Sequence, residues 1–353
     1  MNILIINYIE HIITDLIHQM TTSGRFCLSL INISNWNNFE TSNNGLLILR
    51  KNKNNLVFSE IKYNQARSRY RLSIILYILA EVHQHLLQSS TSMFRELFYK
   101  NPVFTRNQTN IYRAVHDVCG ILQTSPWNLG IFSSGKGLIA GAISICLHNG
   151  DVIDCRRQMN ATLLPQDIRM IHHFQTNAAL VLIIEKDTVF EYLLSRNILS
   201  LLGVDIILIT GRGYPDMCTR YFVNQLNTIY QLPVYILVDA DPYGIEIMLV
   251  YRHGSRTLAN GGIHLACPNL LWVGIHPSEI NVMPVSQSAL SMRDRKKIND
   301  LLKRNYLSEG VRHELQILHQ INSKAEIEGF ASNAMDFLIN DYIPNKIIRN
   351  LLI

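Results

Sequence analysis

The sequence predicts two domains of mixed class: a helical α+β domain with a small β-hairpin, followed by an α/β domain built on a mainly parallel sheet. Three observations carry this. The chain has 353 residues, 48% of them hydrophobic and 17% charged, enough for about two well-packed cores and too apolar for wholesale disorder. Apolar residues recur at helical spacing as far as residue 122. Beyond about residue 175 short apolar runs alternate with helical patterns, the signature of strands joined through crossover helices.

The elements follow in order. Ile5, Ile9, Ile12, Ile13, Leu16, Ile17 and Met20 line one face of an amphipathic helix, which either packs on its own domain or docks on a partner. Asn32 to Asn55 contains nine asparagines in 24 residues and reads as an irregular stretch, a surface hairpin or linker. Leu72, Ile75, Leu76, Leu79, Val82 and Leu86 describe a second helix from Arg71 to Leu87. A third runs from Ser92 to Tyr99, and Pro102 forbids its simple continuation. A fourth fits Asn107 to Leu122, with Ile111, Ala114, Val115 and Val118 inward and Arg106 and Arg113 left for contact elsewhere.

Three short helices before the Gly-punctuated segment NLGIFSSGKGLIAGAISICLHNGDVI suggest a winged helix-turn-helix, its last helix suited to a DNA groove. The strands of the second domain are Val181–Ile184, Asp205–Thr210, Val234–Val238 and Leu270–Ile275. Pro165 and a polar stretch place the boundary near 160–175. The expected domains are therefore 1–65 as an N-terminal extension, 66–165 as the winged-helix domain and 175–353 as the α/β domain.

Charge is unevenly distributed. Lys and Arg total 32 against 27 Asp and Glu, a net +5, and residues 1–110 hold 11 basic and six acidic side chains, so the whole excess lies there. Within it Arg50, Lys51, Lys53, Lys62, Arg67, Arg69 and Arg71 face only Glu60, which suits either a polyanion or a solvated linker. The six cysteines form no CxxC pair and no Cys/His cluster, as expected of free thiols in a reducing compartment. The opening segment lacks the features of a signal peptide, and no run approaches the roughly 18 apolar residues of a membrane span, so a soluble intracellular protein is expected.

The segment VYILVDADPYG carries the clearest chemistry. Asp239 and Asp241 are spaced i, i+2 where a buried strand ends, so both project to one side at the carboxyl edge of a parallel sheet. Two such charges are costly without a cation between them, and hard oxygen donors favour Mg²⁺; capping of the next helix by Asp241 is the plainer alternative. Glu185, at the end of VLIIE, adds a third carboxylate to the same edge, while Asp187 reads as a helix N-cap. The turn Gly211-Arg212-Gly213 either offers Arg212 and backbone amides to a phosphate or is an ordinary tight turn. In FRELFYKN, Arg95 and Tyr99 are four apart and share a helix face. A guanidinium beside a phenol favours phenolate and holds phosphate; a buried Tyr with a surface Arg is the ordinary reading of that spacing.

Together these segments resemble the meiotic double-strand-break transesterases of the sporulation-eleven type, relatives of the topoisomerase VI A protein. FRELFYKN, NQTNIYRAVHDVCGIL and SSGKGLIAG are similar to that family's winged-helix tyrosine motif and wing. IIEKDTVFEYL, GRGYPDMCTR and VDADPYGIEIMLVYRHGS are similar to its Toprim domain, and WVGIHPSEI and DYIPNKIIRNLL to its C-terminal blocks. YRHGS, KKINDLL and DYIPNKI look most like the insect branch.

The resemblance spans about residues 65–353 and implies Tyr99 as the nucleophile, Arg95 as its phosphate-binding neighbour, Glu185, Asp239 and Asp241 as Mg²⁺ ligands, and Lys136 as a phosphate contact. Arg212 stands where many relatives have Lys. It further implies a nuclear protein that acts on double-stranded DNA as a homodimer, with other meiotic break-forming proteins, a topoisomerase VI B-like subunit, and no membrane. Two other readings are a topoisomerase VI A-type protein that cuts and reseals DNA, and a non-catalytic DNA-binding scaffold.

Overall fold

The structure is a computed structural model that describes every residue except Met1, Arg25, Lys51, 157–160, Leu202 and 331–335. The chain forms two compact units, one of Met1–Asn43, Leu47–Ser134 and Ser255–Gly262, the other of Asn44–Leu46, Gly135–Gly254 and Ile263–Ile353.

The first unit is mainly helical. Its helices are α1 (Asn2–Ser23), α2 (Ala66–Gln88), α3 (Phe94–Tyr99), α4 (Pro102–Thr105) and α5 (Gln108–Leu122). Ile9, Ile12 and Leu16 of α1, Leu72, Ile75, Leu79 and Val82 of α2, and Ile111, Val115 and Val118 of α5 meet in one core. The apolar face of the opening helix thus packs on its own unit, the first of the two roles its pattern allows. The break between α3 and α4 has a local cause. Pro102 has no N–H to continue α3, and the Asn101 side chain caps α4 by accepting the Phe104 N–H at 3.3 Å. Asn107 caps α5 in the same way, accepting from Asn110 N–H at 2.9 Å. The Asn-rich stretch contains a short hairpin, Phe39–Thr41 against Leu47–Leu49, anchored by buried Phe39 and Leu47.

The second unit is built on a six-stranded sheet. Ile206–Thr210, Leu180–Ile184, Val234–Leu237 and Leu271–Gly274 lie side by side in that order, all parallel. Nearly every residue of the first three is buried, which accounts for their unbroken apolar character. Helices Asp187–Ser195, Met217–Thr228 and Pro242–His253 follow three of these strands, so the strand ends and helix starts gather at one edge.

The expected boundary at 160–175 needs correction, because the chain changes unit at Ser134/Gly135. Leu138–Gly141, read as part of a wing, pairs antiparallel with Ile206–Thr210 and extends the parallel sheet. Gly141 permits that join: its φ is +108°, and a Cβ there would lie 2.2 Å from the Ile206 carbonyl oxygen. The expected hairpin exists as Ile143–Leu147 against Val152–Asp154, in a three-stranded antiparallel sheet of this second unit. Asp187 is the first residue of its helix and Lys186 the cap position, so Asp187 is not the N-cap that the sequence suggested.

Candidate active-site residues

Tyr99 ends α3, its side chain 64% exposed and its ring edge-on to Phe98 at 5.1 Å. The helix is fixed from its other side by fully buried Leu97, whose carbonyl accepts the Tyr77 hydroxyl at 3.0 Å. Arg95, one turn earlier, is exposed as well. The ordinary alternative for this pair, a buried tyrosine, therefore does not hold.

The acidic residues meet at the carboxyl edge of the parallel sheet. Glu185 follows its strand directly, and its Oε2 accepts the Asp239 N–H at 2.9 Å, linking two strand ends. Asp239 accepts the Ile327 N–H through Oδ1 at 2.8 Å and lies 3.0 Å from Lys186 Nζ through Oδ2. Asp241 accepts the amides of Tyr243 and Gly244 through Oδ1, at 2.9 and 2.6 Å. It is thus the helix cap that the plainer reading expected. Gly244 lets the first turn of that helix approach this closely, since a Cβ there would lie 2.5 Å from the Asp239 carbonyl oxygen.

Burial dominates the electrostatics. Desolvation, followed by the charge of Asp239, pushes the Glu185 carboxyl up to about 8. Desolvation also raises Asp239 to about 6, against the pull of the Ile327 amide and Lys186, and raises Asp241. Desolvation outweighs the nearby charge of Lys186 at Glu185 and Asp239 and of Lys324 at Asp241, so burial without a further cation is costly there. The donor set therefore has the chemistry of a hard-cation site, although among the described residues no three His, Cys, Asp or Glu side chains converge as ion ligands. Asp239 and Asp241 are turned toward protein donors instead.

Lys136 and Arg212 come together in the second unit. The Lys136 amide donates to Asp216 Oδ2 at 2.8 Å and its Nζ to the Arg212 carbonyl at 3.2 Å. Arg212 has a φ of +52°, and its Nε lies 3.5 Å from Asp187 Oδ2. The Gly213 N–H donates to the Glu185 carbonyl at 2.8 Å, so the Gly-Arg-Gly turn is held against the acidic edge. In the first unit, Arg106 lies over the Tyr70 ring at 4.1 Å, while Arg113 is exposed beside a cavity of about 190 Å³ lined also by Tyr70, Arg71, Asn110 and Asp117.

The basic run in this unit is partly neutralised. Arg71 makes a two-pronged bond to Asp117 at 2.7 and 2.9 Å, and Lys62 pairs with Glu60 at 3.0 Å. Arg69 stacks on Tyr63 at 5.1 Å. Lys51 and the side chains of Lys53 and Arg67 lie outside the described residues.

Residues 70–131 match the family described as type IIB DNA topoisomerase, and residues 180–347 match the Toprim domain of the family that unites Spo11 with the A protein of topoisomerase 6. The chain is 46% identical over 313 residues to the meiotic recombination protein W68 of Drosophila melanogaster, covering 88% of this chain and 93% of that one. The chain belongs to the Spo11/topoisomerase VI A family. Other members are the meiotic recombination protein SPO11 of Homo sapiens, 34% identical over 96% of this chain and 86% of its own, and the A protein of DNA topoisomerase 6 from Arabidopsis thaliana, 29% identical over 78% and 66%. The similarity to W68 agrees with the insect-like character of the sequence. The two family matches fall on either side of Ser134: 70–131 lies within the first unit, and 180–347 lies in the second apart from Ser255–Gly262.

Sequence reasoning overlooked four participants, Asp216, Lys186, Glu326 and Glu328. Asp216 accepts from Lys136 and caps the next helix through Thr219 N–H at 2.8 Å. Lys186 touches Asp239, Glu326 and Glu328. Its position directly after Glu185 and the alternation of Glu326 and Glu328 in SKAEIEGF were the available signals.

Proposed function

We propose that this Spo11-family chain makes meiotic double-strand breaks by tyrosine transesterification and so initiates homologous recombination. The observation that carries the reading is the exposed phenol of Tyr99, with exposed Arg95 one helical turn before it, inside the segment matched to type IIB topoisomerases. The Tyr99 oxygen attacks a backbone phosphorus, the bond from phosphorus to the 3′ oxygen breaks, and a 5′-phosphotyrosyl link forms. The phenol proton leaves, and the departing 3′ oxygen ends as a hydroxyl.

Arg95 binds the phosphate and steadies the charge that builds on it. Lys136 and Arg212 contact a neighbouring phosphate, and Arg106 and Arg113 the backbone further along. Glu185, Asp239 and Asp241 would hold Mg²⁺, which when bound supplies charge neutralisation at the phosphate. Burial pushes the carboxyl groups of all three upward, which supports this assignment, because a cation would relieve that cost.

Tyr99 of one copy works with the carboxylates of a second, so the active form is a homodimer, and two such sites cut both strands. The winged-helix character of the first unit, a topoisomerase VI B-like subunit, further meiotic break-forming partners and nuclear action belong to the same reading. The names of the meiotic relatives favour breakage over the cutting and resealing of a topoisomerase.

Replacing Tyr99 by Phe removes one oxygen from an exposed position. Covalent protein–DNA adducts recovered from germline cells are expected to vanish while the variant still folds and binds DNA. Adducts that persist in the Phe variant refute the assignment.

A further inference from the structure

We propose that Lys186 is a tethered competitor of the divalent cation: its ammonium occupies Asp239 when the ion is absent and moves onto Glu326 and Glu328 when the ion binds. This rests on the assignment of Glu185, Asp239 and Asp241 as the ion's ligands, and it concerns what controls that site.

The geometry is specific. Lys186 Nζ lies 3.0 Å from Asp239 Oδ2, 2.7 Å from Glu326 Oε2 and 2.9 Å from Glu328 Oε2. One ammonium therefore touches a buried carboxylate on one side and two largely exposed carboxylates on the other. The backbone fixes the spacing of both sides. The Ile327 N–H donates to Asp239 Oδ1 at 2.8 Å, and Ala240 and Ala325 form a bridge, with the Ala240 N–H donating to the Ala325 carbonyl at 2.9 Å. Glu326 and Glu328 flank Ile327 and alternate with it, so both project to one side of their strand. Thr188 Oγ donates to Glu328 and orients it.

A Mg²⁺ ion bonded to Asp239 at about 2.1 Å cannot share that oxygen with an ammonium, because the two positive charges would be within a few ångströms of each other. Lys186 need not leave the neighbourhood. It already holds two acceptors that are not proposed ligands, and rotation about its flexible stem is enough to release Asp239. Exchange thus keeps the lysine neutralised while freeing the carboxylate, and the affinity for the ion depends on the balance between the two positions.

The test is binding of Mn²⁺ to the full-length protein, by calorimetry and by loss of the free-ion electron paramagnetic resonance signal, with folding checked by circular dichroism. Lys186→Met is expected to bind about tenfold tighter than wild type, in the range usual for coupling between two bound groups. The double variant Glu326→Gln, Glu328→Gln leaves the ammonium only Asp239 and is expected to bind several-fold weaker. Adding Lys186→Met to that pair should restore tight binding and removes the unpaired carboxylates that threaten folding of the single variant. Equal or weaker binding by Lys186→Met and by the triple variant overturns the proposal. If Asp239→Asn still abolishes binding in that case, the ligand assignment survives alone; if Asp239→Asn has no effect, or no variant binds Mn²⁺, the ligand assignment falls as well.

Discussion

Gly244→Ala separates two opposed effects at the acidic edge. Gly244 lies in the first turn of the helix Pro242–His253, where alanine is ordinarily better by up to about 1 kcal/mol through helix propensity and reduced freedom of the unfolded chain. A Cβ there would meet the Asp239 carbonyl oxygen at 2.5 Å, the Asp239 nitrogen at 3.0 Å and Glu185 Oε2 at 3.0 Å. The nearest of these atoms is backbone and has little freedom to retreat. The Val238 N–H donates to Gly274 and the Ile275 N–H to Val238, both at 2.7 Å, while the Ala240 N–H donates to Ala325 at 2.9 Å. Overpacking against such a frame costs about 1–3 kcal/mol, at the upper end where backbone must move. The net expectation is a loss of about 1–2 kcal/mol, together with weaker divalent-ion binding because Glu185 and Asp239 are displaced. Amide hydrogen exchange of peptides spanning 234–253, measured against urea, reads the local stability directly. An Ala variant as stable as wild type or more so refutes the reasoning, since helix propensity would then have outweighed the clash.

Two further outcomes follow from the same contacts. Burial holds His116, His253 and His276 down to about 4, so they are neutral in the fold and take up protons on unfolding. Their contribution is fully present above the usual histidine value of about 6.5 and is lost as pH falls from there through 4, at about 3 kcal/mol per residue. The urea midpoint should therefore drop steeply over that window and less steeply in His116→Phe; an unchanged slope refutes the role of His116. Asp216→Ala removes both the cap on Met217–Thr228 and the acceptor of the Lys136 amide. It is expected to lower stability by about 2 kcal/mol in thermal unfolding, more than a cap alone, with Asp216→Asn losing less.

How far the sequence disclosed this protein depends on the range of the interaction involved. Helices α1, α2 and α5 are visible because each buries a stripe whose spacing is local, and the four parallel strands because strands covered on both faces must be apolar throughout. Leu138–Gly141 was misassigned for the opposite reason. Its partner, Ile206–Thr210, lies more than sixty residues away, and nothing within the wing segment records that pairing. The acidic trio was legible because Glu185 follows one strand and Asp239 and Asp241 follow its parallel neighbour, so topology brings them to one edge of the sheet. Lys186 was adjacent to Glu185 in plain view, yet its meaning depends on Glu326 and Glu328, supplied by a strand about 140 residues further on.

The same distinction changes the meaning of the charge pattern. A basic excess in residues 1–110 and a balanced remainder invite a picture in which one region attracts DNA and another repels it. Side-chain partners do not support so simple a division. Arg71 and Lys62 are paired with acids and Arg69 and Arg106 are stacked on tyrosines, although all four are exposed, as are Arg95 and Arg113; the run that dominates the count is thus partly neutralised within its own unit. The acidic edge is compensated in turn by one lysine in contact with three carboxylates. Net charge over a hundred residues sets long-range attraction, but the contacts within about 4 Å decide which charges remain available to a phosphate or a metal ion. On the proposed assignments, affinity for DNA would depend on the exposed guanidinium groups, and affinity for the ion on how readily Lys186 gives up Asp239.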